Sequence, residues 1–171
     1  MYYKDSKEVI THYRSGKIDG IKSVRITNKS IICYDIPRDD LRYIDGKEEL
    51  NTQSLYILIN SRSMDVYIGE TEDFKCRIKQ HLDKDFWDRV LIFFSLTGDK
   101  NKSDVLFLEK IAIDAVKKIN PSILVNKVSG KSITLLESRE SSDLDFFDDI
   151  CFITSSLGYK LFEVVKTEVE D

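Results

Sequence analysis

Cysteine is scarce in this sequence, long apolar runs are missing, and positive charge is not in excess; each of these absences excludes a class of protein. The three cysteines, Cys33, Cys76 and Cys151, lie far apart and form no CxxC pair, which argues against a zinc site or a disulfide framework. We expect reduced thiols that are mostly buried. No apolar run has the length of a bilayer, and the first residues carry no signal-peptide pattern. These features predict a cytoplasmic protein with no membrane partner.

The formal net charge of −4 argues against non-specific binding of nucleic acid through a large basic surface. The charge is nevertheless uneven along the chain. Residues 75–102 hold seven Lys and Arg against four Asp, a net charge of +3, whereas residues 137–171 hold three against ten acidic residues, a net charge of −7. Such variation is typical of an ordinary protein surface, so a functional assignment has to come from motifs.

With 171 residues, 42% of them hydrophobic, the chain is long enough for one compact domain with appendages. The pattern of elements predicts an α/β fold of the α+β type, in which helices flank a small, mainly antiparallel sheet. We divide the chain into a β-rich N-terminal segment (1–50), a central core (51–128) and a C-terminal helix and strand that pack on the core (129–171).

The N-terminal segment contains the pattern of one β-hairpin. Residues 1–17 are polar and compatible with a helical lead-in. Residues 18–36 alternate in polarity, and the Asn28-Lys29 pair supplies a turn. Pro37 ends the second strand, and a short helical turn is expected after it.

Two strands flank a short polar turn in the core: LYILI (55–59) and VYIG (66–69). We expect Ile59 to pair with Met64, which places Tyr56 directly opposite Tyr67 on the same face of the sheet. Aliphatic residues then share the other face, as a core requires: Leu55, Ile57, Ile59, Val66 and Ile68.

A helix is expected after the second of these strands. Asp73 is a good N-cap, and the helix should run to about Leu82. Arg77 and His81 are four residues apart and project together from one face. A neighbouring apolar stripe repeats at i, i+4 and i+8: Phe74, Ile78 and Leu82.

The second half of the core contains one buried strand and one long helix. VLIFFS (90–95) is continuously apolar, which predicts a central strand covered on both faces. Ser103 can cap a helix over residues 104–119. Asn120-Pro121 then ends this helix.

The C-terminal segment predicts a helix and a last strand. Residues 141–157 form an amphipathic pattern, and Gly158 is suited to the position after a helix end. Residues 159–165 are β-rich. The acidic residues of the helix are expected on a solvated face and not at a metal site: Asp143, Asp145, Asp148 and Asp149.

The core also holds the side chains that phosphodiester hydrolysis needs. The reaction needs a general base for water, positive charge against the phosphoryl oxygens and help for the leaving oxygen. Tyr67 can act as a base where a nearby cation lowers its pKa, and His81 can shuttle a proton near neutral pH. Arg77 can bind two phosphate oxygens, and Glu109 can hold a divalent cation. Gly69 has no side chain, so the substrate backbone can approach Tyr67 closely.

Each of these residues also has an ordinary structural explanation. Strand tyrosines usually pack in a core, and Arg77 alone is typical of a solvated helix. His81 alone can interact with the C-terminal end of a helix, and most helix glutamates such as Glu109 are exposed. His12 has no companions and receives no role. The functional interpretation therefore depends on the residues occurring together in this order.

The order and spacing of these residues resemble the GIY-YIG endonuclease family. Members of this family carry two tyrosines on adjacent antiparallel strands, an arginine and then a histidine or tyrosine on the next helix, and a metal-binding glutamate on a later helix. The similarity covers about residues 54–128 and includes VYIGET, RIKQHL and FLEKIAI. Asn126 is the best match for a late asparagine of the family, and Asn120 is the alternative. The other matching residues are Tyr56, Tyr67, Arg77, His81 and Glu109.

The resemblance implies a divalent-metal-dependent endonuclease that acts on DNA, with branched and damaged DNA among its candidate substrates. Tyr67, assisted by His81, would activate water, and Glu109 would hold a single Mg²⁺ or Mn²⁺. Tyr56 and Asn126 would orient the phosphate, and the products would carry 5′-phosphate and 3′-hydroxyl ends. Four positions around the site are expected to contact the nucleic acid: Gly69, Lys75, Lys79 and Lys84.

Two departures from the family pattern favour an alternative. The first motif reads LYI and lacks the glycine of GIY, and Glu70 stands where many members have a basic residue. The latter change removes a cation near Tyr67. The alternative is a catalytically weak or inactive module on the same fold that binds a nucleic acid or a protein. A structural protein with a chance motif is a third possibility.

Overall fold

The structure, a computed structural model, describes residues 5–163 and contains one six-stranded antiparallel sheet. Its strands are β1 (Val9–Tyr13), β2 (Lys22–Ile26), β3 (Ile31–Pro37), β4 (Ser54–Ile59), β5 (Val66–Thr71) and β6 (Arg89–Ser95). They lie in the order β1-β2-β3-β6-β4-β5. The last strand of the core, β6, is therefore in the interior of the sheet, and β5 is at one edge.

Three helices and three 3₁₀ turns complete the described chain: α1 (Phe74–Lys79), α2 (Lys102–Ile119), α3 (Glu137–Ser156), and the turns Arg38–Ile44, Glu48–Leu50 and Pro121–Ile123. Helices α2 and α3 cover one face of the sheet. Helix α1, the first two turns and Trp87 cover the other. Helices thus flank an antiparallel sheet, and the predicted α+β fold is confirmed.

Strand β4 is buried on both faces because of this three-layer arrangement. Leu55, Ile57 and Ile59 pack in the cluster formed with α2 and α3, as the sequence pattern predicts. Tyr56 and Leu58 pack in the opposite cluster. The central position of β6 is also confirmed, because it pairs with β3 on one side and β4 on the other and is buried from its second residue to its last.

The register of the β4–β5 hairpin differs by two residues from the prediction. Ile59 pairs with Val66 instead of Met64, so Tyr56 lies opposite Gly69. The loop is longer than expected because Asn60, its first residue, stabilises it. Asn60 Oδ1 accepts hydrogen bonds from the backbone N–H groups of Arg62 and Ser63. A shift of two residues preserves the faces of a strand. The two tyrosines therefore still share one face, although they are diagonal neighbours.

The N-terminal residues form a strand where a helical lead-in was compatible with the sequence. Strand β1 pairs with β2 at the second edge of the sheet, and most of its residues are exposed. Such an edge strand needs few apolar residues, which explains its weak hydrophobic pattern. The β2–β3 hairpin is confirmed, with Asn28 at a φ of 63° in its turn, and so is the helical turn after Pro37.

Helix α1 is shorter than predicted. Asp73 is its N-cap, as expected, and the side chain accepts a backbone N–H at 3.1 Å. The helix ends at Lys79, after which the chain continues in tight turns. Phe74 is buried as predicted, but Leu82 is 45% exposed because it lies beyond the helix end.

Helix α2 begins two residues earlier than predicted. Asn101 is its N-cap and forms a capping box with Asp104, so Ser103 does not cap the helix. The helix ends at Ile119, directly before the predicted Asn120-Pro121 stop.

Helix α3 also begins earlier, at Glu137 instead of residue 141. Gly158 follows its C-terminal end with a φ of 92°, as predicted. Residues 159–163 form no strand, which corrects that part of the prediction. Residues 164 and 165 lie outside the described part of the chain.

Two acidic residues of α3 are buried, although a solvated face was predicted for them. Asp143 accepts a hydrogen bond from Lys100 at 2.9 Å, and Asp149 accepts one from Lys7 at 3.1 Å. Asp145 is exposed. The prediction was wrong because these cations come from distant parts of the chain, where a helix pattern cannot detect them.

The three cysteines are free, as predicted, but only one of them is buried. Cys33 lies in the core, whereas Cys76 is exposed on α1. Cys151 is intermediate. Within residues 5–163, no helix is both long and apolar enough to cross a membrane.

Candidate active site

The side chains predicted for the site gather around the edge strand β5. Side chains of this strand alternate between the two faces of the sheet. Tyr67 belongs to the face covered by α1, and Glu70 points to the face covered by α2, which carries Glu109. The site therefore wraps around one edge of the sheet, where groups from both layers meet.

The two strand tyrosines differ in their access to solvent. Tyr56 is only 1% exposed, whereas Tyr67 is half-buried. Their rings are stacked with centroids 6.4 Å apart and an angle of 29° between the planes. Burial raises the pKa of both hydroxyl groups. Of the two tyrosines, Tyr67 is accessible to a substrate, whereas Tyr56 is buried and packs against the Tyr67 ring.

His81 makes hydrogen bonds through both ring nitrogens. Its Nε2 lies 2.8 Å from the Tyr56 hydroxyl, and its Nδ1 lies 3.1 Å from Lys84 Nζ. Its ring centroid is 4.9 Å from that of Tyr67. Burial, assisted by the charges of Lys84 and Arg77, lowers the pKa of His81 to about 4. The imidazole is therefore neutral at pH 7, which corrects the expectation of a group that titrates near neutrality.

The turn that carries His81 is fixed by residues that sequence reasoning missed. Trp87 Nε1 donates to the His81 carbonyl at 3.1 Å. The Arg38 guanidinium donates to the Leu82 and Lys84 carbonyls, each at 2.6 Å, and stacks over the Trp87 ring at 4.4 Å. Arg38 precedes these partners by more than forty residues. No local pattern in the sequence could have assigned it to this site.

Arg77 lies close enough to act electrostatically on the other members of the site. Its positive charge lowers the pKa of Tyr56 and of Tyr67, against the effect of burial. It also opposes the rise in the Glu109 pKa. The guanidinium contacts Gln80 at 3.4 Å and is partly exposed, so it is free to bind an anion.

Glu109 is a half-buried carboxylate beside a second acidic group. Burial raises its pKa first, and the negative charge of Glu70 raises it further. Glu70 is itself paired with Lys102 at 2.5 Å. A divalent cation would stabilise the ionised carboxylate, so the position suits a metal ligand.

The residues around Glu109 suit Mg²⁺ or Mn²⁺ better than a metal ion that needs all of its ligands from protein side chains. No group of three or more His, Cys, Asp or Glu in the described range could hold a metal ion together. Mg²⁺ usually keeps several waters and binds through one or two carboxylates together with substrate phosphates. A single carboxylate at Glu109 meets that requirement.

Asn126 uses both ends of its side-chain amide on the backbone of β5. Its Oδ1 accepts the Ile68 N–H at 2.9 Å, and its Nδ2 donates to the Ile68 carbonyl at 2.8 Å. The neighbouring Val125 N–H donates to the Val66 carbonyl at 2.8 Å. Asn126 therefore covers the free edge of the sheet and holds residues 125–128 beside Tyr67. Its predicted contact with phosphate stays a prediction.

Gly69 has a structural role that differs from the one predicted. It is buried, and a Cβ at this position would lie 2.4 Å from the Tyr56 hydroxyl oxygen. The ring of Tyr56 thus fills the space that was expected to admit the substrate. The glycine is needed because a tyrosine crosses the paired strand at this point.

Gly69→Ala is expected to lower the free energy of unfolding by about 1–3 kcal/mol, because the added methyl group forces the Tyr56 ring to move. The measurement is urea-induced unfolding of the wild type and the variant. Repeating the substitution in a Tyr56→Leu background is the control, since removal of the ring should remove most of the penalty. An equal loss in both backgrounds would contradict this role.

A cavity of about 360 Å³ opens beside Tyr67. Its walls are formed by Tyr67, Lys84, Val125, Asn126, Lys127 and Val128. Two lysines in this wall give it a positive charge, which suits a phosphate backbone. Lys75 and Lys79 lie on α1 with partly or fully exposed side chains, and their contact with nucleic acid stays a prediction.

The comparison with known families agrees with this geometry. Residues 53–121 match the family model of the GIY-YIG catalytic domain. No curated protein and no solved structure matches the chain. The matched segment ends before Asn126 and contains the other five residues predicted for catalysis. It indicates a nuclease-type activity on nucleic acid. The match at residues 53–121 supports membership of the GIY-YIG family.

Proposed function

We propose that the protein is a divalent-metal-dependent endonuclease that hydrolyses DNA phosphodiester bonds. The observation that carries the proposal is the accessible Tyr67, which lines a basic cavity and stands against the neutral His81. Arg77 and Glu109 act on the same tyrosine through their charges. These are the base, the cation and the metal ligand that the reaction needs.

In this proposal Tyr67 takes the proton of the attacking water. Its pKa is raised by burial and by Glu109, so it needs stabilisation of the ionised form. The charge of Arg77 and hydrogen bonding by the Tyr56 hydroxyl both lower this pKa. His81 assists through its contact with Tyr56. Tyr56 is thus a positioning residue, because its burial keeps it away from the substrate.

Arg77 would bind the non-bridging oxygens of the scissile phosphate and compensate their growing negative charge. Glu109 would hold a single Mg²⁺ or Mn²⁺, which when bound supplies Lewis-acid stabilisation for the leaving 3′ oxygen. Asn126 would keep the wall of the cavity in place through its bonds to β5. Products with 5′-phosphate and 3′-hydroxyl ends follow from this assignment.

DNA would approach along the edge of the sheet. Lys84 lies in the cavity wall, and Lys75 and Lys79 lie on the adjacent α1. Of these lysines, Lys75 and Lys79 would contact phosphates without reading sequence. A cytoplasmic location and a preference for branched or damaged DNA stay predictions.

The test is a cleavage assay on plasmid, branched, damaged and single-stranded DNA, with Mg²⁺ or Mn²⁺ and with EDTA. Tyr67→Phe is expected to lower the rate about 100-fold, because general-base catalysis is lost while the ring remains. Tyr13→Phe, on the opposite edge strand, is the matched control and should cleave like the wild type. Equal rates for wild type and Tyr67→Phe would overturn the assignment of the base.

A second function is favoured by the Glu70–Lys102 ion pair beside Glu109. The negative charge of Glu70 raises the pKa of Glu109 and so hinders ionisation of the proposed metal ligand. A module with weak or lost catalysis would tolerate this effect. Metal-independent binding of the same DNAs, with no cleavage of any of them by the wild type, would favour a binding module instead. Glu70→Lys would then be expected to leave cleavage absent.

A further inference from the structure

Lys84 contacts the proposed base, Tyr67, and its neighbour His81. Its Nζ lies 3.1 Å from His81 Nδ1 and 4.6 Å from the centre of the Tyr67 ring. Its backbone carbonyl accepts a hydrogen bond from Arg38 at 2.6 Å. The side chain is partly buried.

The contact decides which nitrogen of His81 carries the proton. A neutral imidazole has one N–H donor and one acceptor, and a lysine ammonium has donors only. Burial and the nearby cations keep His81 neutral at pH 7. Because Lys84 donates to Nδ1, the proton must be on Nε2, which lies 2.8 Å from the Tyr56 hydroxyl oxygen. His81 is then a donor to Tyr56.

The direction of the His81–Tyr56 hydrogen bond determines where the Tyr56 hydroxyl can donate its own proton. When Nε2–H donates to the Tyr56 oxygen, the Tyr56 O–H is left free to donate elsewhere. The stacked Tyr67 ring is its neighbour on the same face of the sheet. A hydrogen bond donated by the Tyr56 hydroxyl to the ionised Tyr67 oxygen would lower the pKa of Tyr67. The opposite tautomer would point the Tyr56 proton at His81 instead.

We propose that Lys84 is a positioning residue that fixes the Nε2–H tautomer of His81 and so directs the Tyr56 hydroxyl proton toward Tyr67. The inference rests on the proposed function for its catalytic meaning. In this arrangement His81 is a hydrogen-bond donor in a chain from Lys84 to Tyr67, and it does not accept a proton from the tyrosines. The cation of Lys84 also lies over the Tyr67 ring, 4.6 Å from its centre.

The tautomer can be observed directly by NMR. Long-range ¹H–¹⁵N correlation spectra at pH 7 show which ring nitrogen is protonated, and the chain has only two histidines, so His12 on the exposed strand β1 is an internal reference. We expect the Nε2–H form of His81 in the wild type. Lys84→Met should introduce the Nδ1–H form, and Lys84→Arg should restore Nε2–H, because arginine is also a donor. Lys117→Met, remote on α2, should change nothing.

Two outcomes would overturn the proposal: an Nδ1–H form of His81 in the wild type, or an unchanged tautomer in Lys84→Met. The NMR measurements need no substrate, so their result does not depend on whether the protein is a nuclease. If the nuclease assignment holds, Lys84→Met should lower the cleavage rate about tenfold, and Lys84→Arg should recover most of it. A loss of cleavage that Lys84→Arg does not recover, with the tautomer restored, would assign Lys84 to substrate binding instead.

Discussion

Glu109→Gln is expected to lower metal-dependent cleavage by about 10³- to 10⁴-fold, since a bound metal contributes several kcal/mol of transition-state stabilisation. The substitution keeps the size and one oxygen of the side chain but removes the negative charge that holds a divalent cation. Burial and Glu70 already disfavour the ionised carboxylate. At pH 7 the free energy of unfolding of the variant should therefore equal that of the wild type or slightly exceed it.

The readouts are the cleavage rate, Mn²⁺ binding by electron paramagnetic resonance, and urea-induced unfolding. Asp114→Asn is the matched control: it removes a carboxylate from the same helix, at a position that is paired with Lys110 at 2.7 Å. It should retain activity and Mn²⁺ binding. Unchanged Mn²⁺ binding in Glu109→Gln would mean that the metal ligand is elsewhere, and an unfolded variant would mean that Glu109 is structural.

Arg77→Ala is expected to lower the cleavage rate by about 10³-fold or more, as is typical of an arginine that stabilises a transferring phosphoryl group. Two effects combine here, because the variant loses the phosphate ligand and the cation that lowers the pKa of Tyr67. Arg77→Lys should recover only part of the rate, since an ammonium cannot bind two oxygens in the same geometry. The pH dependence of Arg77→Ala should shift to more alkaline values, because the Tyr67 pKa rises without the cation. Arg77→Lys keeps the positive charge and should shift less.

Stability should change little in Arg77→Ala, because the side chain is partly exposed and contacts Gln80 at 3.4 Å. Arg25→Ala is the control, since it removes an exposed arginine from β2, far from β5 in the order of the sheet. It should leave both cleavage and unfolding unchanged. A rate for Arg77→Ala within tenfold of the wild type would contradict the assignment of the phosphate ligand.

Local patterns in the sequence were sufficient for most elements of the core. The apolar run at residues 90–95 indicates a central strand, because a strand covered on both faces has apolar residues at successive positions. Asp73 and Gly158 mark helix ends, because cap geometry depends on residues close in the sequence. The alternation in β4 separated Tyr56 from the aliphatic face in the same way. These features repeat within a few residues, so they are visible without any tertiary contact.

Errors in the predicted fold arose where the chain depends on distant partners. Strand β1 was missed because an exposed edge strand carries little apolar signal. The buried Asp143 and Asp149 were placed in solvent because their partners, Lys100 and Lys7, come from other parts of the chain. The register of the β4–β5 hairpin was wrong because side-chain bonds within the turn set it.

The sequence by itself determined the identity and order of the groups proposed for catalysis, from Tyr56 to Glu109, and the two faces on which the strand residues lie. The tertiary structure decided their chemical states. It made Tyr56 a buried support, kept His81 neutral and brought Lys84 to one of its ring nitrogens. Burial and charge at each site are sums over neighbours from several elements, so the shifts in pKa and the preferred tautomer arise only when the chain folds.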